Sequence, residues 1–170
     1  MCIRDRRNTD GATLTTSYTY GAFGNVTSKT DPVGYVTTYS YTDNYSDGVN
    51  RSSNAFLTQT TNALNQTTKN QYYWGSGLVA ASCGENFTGS CTTGGNSGAD
   101  YASYTYDMMG RQTSVTTGDG GQSTNCFSEL GGSGCSQSGS YPLQVTSAEL
   151  IASGAVSYTH LDVYKRQTLA

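Results

Sequence analysis

The chain has 170 residues, 9 basic and 12 acidic side chains, one histidine and five cysteines, for a formal net charge of −3. No apolar run approaches the roughly 20 residues of a membrane-spanning helix, so no membrane insertion by this segment is expected. Leu, Ile, Val and Phe are scarce while Thr, Ser, Gly, Asn and Tyr dominate, which excludes an ordinary aliphatic core. The low net charge and the strand preference of Tyr and Thr argue against disorder and for a β protein whose buried contacts are largely tyrosine and threonine.

In chain order, the first stretch is not protein-like. Met1-Cys2-Ile3-Arg4-Asp5-Arg6 back-translates to ATG TGT ATA AGA GAC AGN, similar to the transposon mosaic end used to tag DNA in library preparation. Val156 to Leu161 fits the reverse complement of that element, and Asp162 to Gln167 fits the forward element again. Residues 1–6 and 156–170 are therefore read as an adapter-derived scar and remnant, and the chain as a fragment of a longer reading frame. Setting them aside removes His160 and Cys2 and leaves five basic and ten acidic residues between Arg7 and Ala155, a net charge of −5. No basic stretch remains, so neither a nucleic-acid footprint nor polybasic membrane attachment is expected.

From Ser17 onwards the chain repeats itself. Val26 to Tyr41 (VTSKTDPVGYVTTYSY) matches Leu57 to Tyr72 (LTQTTNALNQTTKNQY) at a shift of 31, and Tyr18 to Asn25 matches Tyr104 to Arg111 at a shift of 86, with Thr30 falling on Thr116. Alternation such as Tyr18/Tyr20 and Tyr39/Tyr41 predicts strands with one face in aromatic contact. The Tyr-x-x-x-Gly step that ends at Gly24 or Gly110 is a turn, and so is Asp31-Pro32-Val33-Gly34. The expectation is all-β: successive antiparallel hairpins that stack to share a buried face. Tyr41-Thr-Asp-Asn-Tyr45 lacks a glycine in register, and the Tyr20–Tyr41, Tyr41–Tyr72 and Tyr72–Tyr106 intervals of 21, 31 and 34 residues place two insertions in loops. After about Gly118 the pattern fades, so residues 7–117 are assigned to repeats with two insertions and 118–155 to a Gly/Ser-rich, weakly structured continuation. Thr146 to Ala155 reads as a short helix capped by Ser147.

These residues carry a family resemblance. Tyr106-Asp107-Met108-Met109-Gly110-Arg111 resembles the Y-D-x-x-G-R box of Rhs/YD-repeat proteins, and Tyr20-Gly21-Ala22-Phe23-Gly24-Asn25 is similar to its Y-D-x-x-G-N variant, with Gly21 in place of aspartate. The resemblance spans about Ser17 to Thr117. It implies a wall segment of a larger hollow β-shell, without catalytic residues, secreted or on the surface of a bacterium. It implies as partners the remainder of that shell and an enclosed C-terminal effector domain, as in polymorphic toxins. The alternative is a cell-surface adhesion or carbohydrate-binding repeat protein, as the similar shell of animal teneurins suggests.

Four cysteines remain, in the pairs Cys83/Cys91 and Cys126/Cys135. Zinc sites use closer spacing or histidine partners, so disulfides in an oxidising compartment or free thiols are expected; three pairings are open. Asp43-Asn-Tyr-Ser-Asp47-Gly48 lacks calcium-loop ligands at its third and twelfth positions, Tyr45 and Asn54, and is read as a polar insertion. Five Asn-x-Ser/Thr triplets (at Asn25, Asn44, Asn50, Asn65 and Asn86) are what an Asn- and Thr-rich chain produces by chance. Tyr72, Tyr73 and Trp74 are read as a strand face buried between hairpins rather than a sugar-stacking platform. Without a native histidine there is no Ser/His/Asp or Cys/His arrangement. No phosphate cradle is present, and Asp100 and Asp107 fall short of a glycosidase pair. No cofactor and no enzymatic activity are expected. Cut from its shell, the segment Arg7 to Ala155 exposes sheet edges and is expected to be poorly folded or insoluble when expressed alone.

Overall fold

The computed structural model describes residues 3–7, 13–94, 98, 100–127, 145–150 and 157–162. These residues form strands and turns, with no helix among them. One compact unit, Met1–Thr93, holds β1 (Ile3–Arg7), β2 (Thr13–Tyr20), β3 (Val26–Thr30), β4 (Val36–Ser40), β5 (Gln59–Thr61), β6 (Thr67–Tyr72) and β7 (Val79–Cys83). The other, Gly94–Ala170, holds β8 (Tyr101–Tyr106), β9 (Gln112–Thr117), β10 (Gln122–Phe127), β11 (Val145–Leu150) and β12 (Ser157–Asp162). Within each unit every strand pairs antiparallel with the next in chain order, and the sheet does not close on itself. The all-β hairpin architecture expected from the periodicity is what forms.

One turn recurs. At residues 21–25, 31–35, 62–66, 107–111 and 117–121 the first residue's N–H donates to the fifth residue's carbonyl, and the fourth residue's N–H returns to the first residue's carbonyl, all at 2.8–3.1 Å. The fourth residue is left-handed in each: Gly24 (φ 82°), Gly34 (101°), Asn65 (61°), Gly110 (79°) and Gly120 (90°). This is a type I turn closed by a left-handed residue, the commonest way to join strands with a slightly longer loop. Where the first residue is Asp or Asn, its Oδ1 accepts the N–H groups inside the turn: Val33, Gly34 and Tyr35 on Asp31, Leu64 and Gln66 on Asn62, and Met109 and Arg111 on Asp107. The Tyr-Asp-x-x-Gly-Arg box and the Asp-Pro-x-Gly step are thus one device used at opposite ends of the hairpins. A Cβ at Gly34 would meet nothing within 4 Å, so Gly34→Ala costs only backbone strain, about 1–2 kcal/mol. Gly34→Asn costs less, because Asn65 already fills the equivalent position; a urea titration of the two variants checks the order.

A β-bulge falls at Tyr20, Tyr72 and Tyr106. The register shifts between Thr19 and Tyr20, between Gln71 and Tyr72, and between Thr105 and Tyr106. Each shift inserts one extra residue, Thr27, Ala80 or Thr113, opposite the bulge. Two hydroxyls therefore face one: Thr19 Oγ1 lies 2.9 Å from Thr27 Oγ1 and 2.7 Å from Ser28 Oγ, and Thr105 Oγ1 lies 2.8 Å from both Thr113 Oγ1 and Ser114 Oγ. The hydroxyl cluster is therefore repeated at the 86-residue shift. The register also aligns one row of hydroxyls across five strands, Thr19–Ser28–Thr38–Thr61–Thr67, and its counterpart Thr105–Ser114–Thr124.

Two expectations are corrected. Tyr18, Tyr20, Tyr39 and Tyr41 do not build an aromatic face: no ring pair among the described residues includes them. Their register partners are Lys29, Val26 and Thr60 for the first three, and Tyr41 lies beyond the end of β4. The expected helix from Thr146 is strand β11. It is paired along its whole length with β10 and β12, and that ladder outcompetes a helix too short to nucleate; residues 151–155 lie outside the described ones. Among the described residues of 118–155, which are read as a continuation of the repeats, are β10 and β11.

Candidate functional site

The side chains that depart from the repeat lie in the two insertions. Among the described residues they supply Tyr45, Thr58 and Cys91 of the buried set; Gln71 lies on β6, Ala80, Ala81 and Cys83 on β7, and Tyr101 on β8 of the second unit. Tyrosine and threonine are represented, but alanine and a disulfide share the core with them.

The first insertion, residues 41–58 between β4 and β5, docks on β6 as a short parallel bridge. The N–H of Ser46 donates to Tyr72 O (2.9 Å), and the N–H of Tyr72 donates to Asn44 O (3.0 Å). Asp43 organises its interior. The Asp43 carboxylate accepts the N–H groups of Arg51 (2.8 Å), Ser53 (3.0 Å) and Asn54 (3.2 Å) and the Ser53 hydroxyl (2.7 Å). Burial pushes its pKa up, but the bonds from Ser53, Arg51 and Asn54 outweigh that and hold it below the ordinary value. The loop that resembles a calcium site in composition is thus filled by its own backbone.

Over this loop lies an aromatic cluster that the sequence reading missed. Tyr45 is 3% exposed; its ring meets Phe56 (6.3 Å) and Trp74 (5.0 Å) edge-on, and Phe56 stacks on Tyr72 (4.8 Å). Tyr45 Oη lies 2.6 Å from Ser53 Oγ, and the Tyr72 hydroxyl donates to Leu57 O at 2.8 Å. Gly77 (φ 70°) leaves room for Phe56, whose ring a Cβ there would approach to 2.8 Å. Arg51 closes the cluster: it grips both Asp47 oxygens (3.2 and 2.7 Å) and lies 4.2 Å over the Trp74 ring. The Arg51 bond holds the Asp47 carboxyl low, and Asp47 in turn holds the guanidinium high. Tyr72 is half-buried here and Trp74 is 51% exposed, so the strand face expected to be buried is only partly covered.

The second insertion follows β7. Cys83 and Cys91 form a disulfide with Cα atoms 5.9 Å apart. Lys69 Nζ donates to Gly89 O (2.7 Å), and Asn44 Nδ2 donates to both Cys91 O and Asn70 O (3.0 Å each). Gln71, 3% exposed, joins the two insertions: its Nε2 donates to Tyr45 O (3.3 Å), and its Oε1 accepts Thr93 N–H (2.7 Å). Replacing Gln71 with leucine strands the Thr93 N–H and leaves the Tyr45 carbonyl with the Gly48 N–H alone, with an expected loss of about 1–3 kcal/mol in a urea unfolding midpoint analysis. Cys126 is also disulfide-bonded; Cys135 lies outside the described residues.

The motif residues occupy the hairpins as follows. Tyr18, Tyr39 and Tyr104 are half-buried on strands, and Tyr20 and Tyr106 sit at the bulges. Gly24 and Gly110 supply the left-handed corner. Asn25 donates its amide to Asn54 O (2.7 Å), tying the first box to the insertion. Arg111 Nε donates to Asp107 Oδ2 (2.7 Å), and the guanidinium lies 4.0 Å over the Phe127 ring. Burial raises the Asp107 pKa, but the Arg111 side-chain and backbone bonds and the Met109 N–H bring it below the ordinary value.

Folded carboxyls that titrate below their unfolded value near 3.9 contribute stability that is complete above about pH 4 and is lost as pH falls through the lower folded values. Acid titration should therefore show a constant urea midpoint from about pH 7 to 5 and a decline below about pH 4. That decline should be shallower in Asp43→Asn and Asp107→Asn.

No group of three or more His, Cys, Asp or Glu among the described residues is arranged to hold a metal ion. No family model matches the chain, and no curated protein is similar to it.

Proposed function

We propose that the chain is a wall segment of a hollow YD-repeat shell that encloses a C-terminal effector, of the bacterial polymorphic-toxin kind. The observation that carries this reading is the turn shared by five hairpins, together with the hydroxyl cluster that recurs 86 residues later. A hairpin unit reproduced to this detail is built to be added in series, which is how a wall is extended. The shifts at Asp43, Asp47 and Asp107 also support a role without catalysis. All three carboxyls move away from neutral pH, opposite to the tuning that acid–base catalysis needs. The disulfide fits export to an oxidising compartment.

The test is to recover the longer reading frame that contains this chain and digest its product with protease. A shell protein protects the segment C-terminal to its repeats until the wall is opened by denaturant, and that segment is toxic when freed. Cleavage of the segment at the same rate before and after opening overturns the shell reading, and a surface anchor in its place favours the adhesion reading.

A further inference from the structure

We propose that Asp119 is a site of spontaneous isoaspartate formation through attack of the Gly120 nitrogen on its side chain, and that the Arg51 clamp protects the corresponding bond at Asp47-Gly48. Three Asp-Gly pairs occur in the sequence, at Asp10, Asp47 and Asp119; Asp10 lies outside the described residues. A following glycine has no Cβ to hinder such an attack.

Asp47 and Asp119 are both exposed. In each, Oδ1 accepts the N–H of the second residue on, Val49 at 3.0 Å and Gly121 at 3.1 Å. They differ in what holds the rest of the carboxylate. Arg51 donates to both Asp47 oxygens, at 3.2 and 2.7 Å, and its guanidinium is itself fixed 4.2 Å over the Trp74 ring. To react, Asp47 must leave this two-point, charge-assisted contact and take up a proton. Neither salt bridge among the described residues includes Asp119. Its Oδ1 accepts the Thr117 hydroxyl at 2.6 Å, and its Oδ2 has no partner among the described residues. Gly118, Gly120 and Gly121 surround it, with Gly120 at φ 90°, so no neighbouring side chain restrains the backbone from moving onto Cγ.

The reacting species is the neutral carboxylic acid. The Gly120 nitrogen bonds to Asp119 Cγ, and the carboxyl hydroxyl leaves with the amide proton as water, which closes a succinimide ring. Water then adds to one of the two ring carbonyls. Addition at the former side-chain carbonyl restores aspartate. Addition at the former backbone carbonyl leaves isoaspartate, with the chain routed through Cβ and Cγ and the α-carboxylate free. Water is lost and regained, no oxidant or reductant is needed, and the net charge is unchanged. The extra backbone methylene falls inside the turn closed by Thr117 N–H on Gly121 O (2.9 Å) and Gly120 N–H on Thr117 O (3.1 Å). Both bonds cannot survive it, so the β9–β10 hairpin loosens as the protein ages. The product is a substrate for an S-adenosylmethionine-dependent methyltransferase that recognises isoaspartyl carboxylates.

The experiment uses the 170-residue chain carried on thioredoxin for solubility, with the Cys83–Cys91 disulfide confirmed by mass spectrometry. The chain is aged at neutral pH and physiological temperature, then reduced and digested with trypsin. Cleavage after Arg7, Lys29, Arg51, Lys69 and Arg111 places Asp10, Asp47 and Asp119 in different peptides. Isoaspartate in each is counted by chromatography and by methylation with isoaspartyl methyltransferase and labelled S-adenosylmethionine. In the folded chain it should accumulate at Asp119 about fivefold faster than at Asp47, the rate equivalent of a well-formed exposed ion pair. In urea the two rates should converge. Arg51→Gln should raise the Asp47 rate by about threefold or more and leave Asp119 unchanged. No isoaspartate at Asp119, equal rates at the two sites in the folded chain, or an Asp47 rate unmoved by Arg51→Gln in a variant with wild-type circular dichroism overturns the proposal.

Discussion

Tyr45→Ala lowers the unfolding free energy of the Met1–Thr93 unit by about 3–5 kcal/mol, the range for truncating a buried aromatic. The reason is that Tyr45 holds three different contacts at once. Its ring is the edge partner of both Phe56 and Trp74, its hydroxyl meets Ser53, and Arg51 lies over its ring. Truncation opens a cavity under Trp74 and releases the Arg51 clamp that lies over both rings. Tyr45→Phe separates the terms: it keeps the packing and loses only the hydroxyl contact, about 1 kcal/mol. Trp74 is the single tryptophan of the chain, so its fluorescence in a urea titration reports this site directly. A loss below about 1 kcal/mol for Tyr45→Ala would mean that the first insertion is not part of the cooperative unit.

The sequence made the strands and the turns readable because both obey short-range rules. Alternation over Thr13–Tyr20 and Tyr101–Tyr106, and a residue tolerant of left-handed backbone four positions into each turn, are local signals. The correspondence of Asp31 with Asn62 in the 31-residue shift proved to be two copies of one capped turn. The core was not readable. Tyr45, Phe56 and Gln71 have no periodic partner, because they meet only after the insertion folds back on β6, and nothing in a one-dimensional pattern marks such a long-range contact. The loop of Asp43 reads as a polar insertion, but nothing in its sequence marks Asp43 as the residue that organises it by accepting the loop's own N–H groups. The tyrosine stripe failed where packing decides: Tyr18 and Tyr39 have Lys29 and Thr60 as cross-strand partners, and aromatic contact came from the loops instead.

Removing the Cys83–Cys91 disulfide, by Cys83→Ala with Cys91→Ala, destabilises the same unit by about 2–4 kcal/mol, the usual range for a native bridge. Loop closure alone accounts for the lower part of that range, because the bridge spans only eight positions. The rest comes from what the bridge positions. Both cysteines are buried, and the segment after Cys91 supplies the carbonyl that Asn44 binds and the N–H that Gln71 binds. Without the bridge those bonds must hold the second insertion by themselves, and their loss leaves buried groups of the first insertion unsatisfied. The two insertions should therefore fail together. In a double-mutant cycle, the Cys83→Ala/Cys91→Ala chain should lose less on Gln71→Leu than the bridged chain does, by about 1 kcal/mol or more, because the Thr93 bond is already weakened. Dithiothreitol should bring the Trp74 fluorescence midpoint of the parent chain to that of the Cys83→Ala/Cys91→Ala chain and leave the latter unmoved. Strict additivity of the two changes would show instead that the insertions are independent loops and that Gln71 is only a neighbour of the bridge.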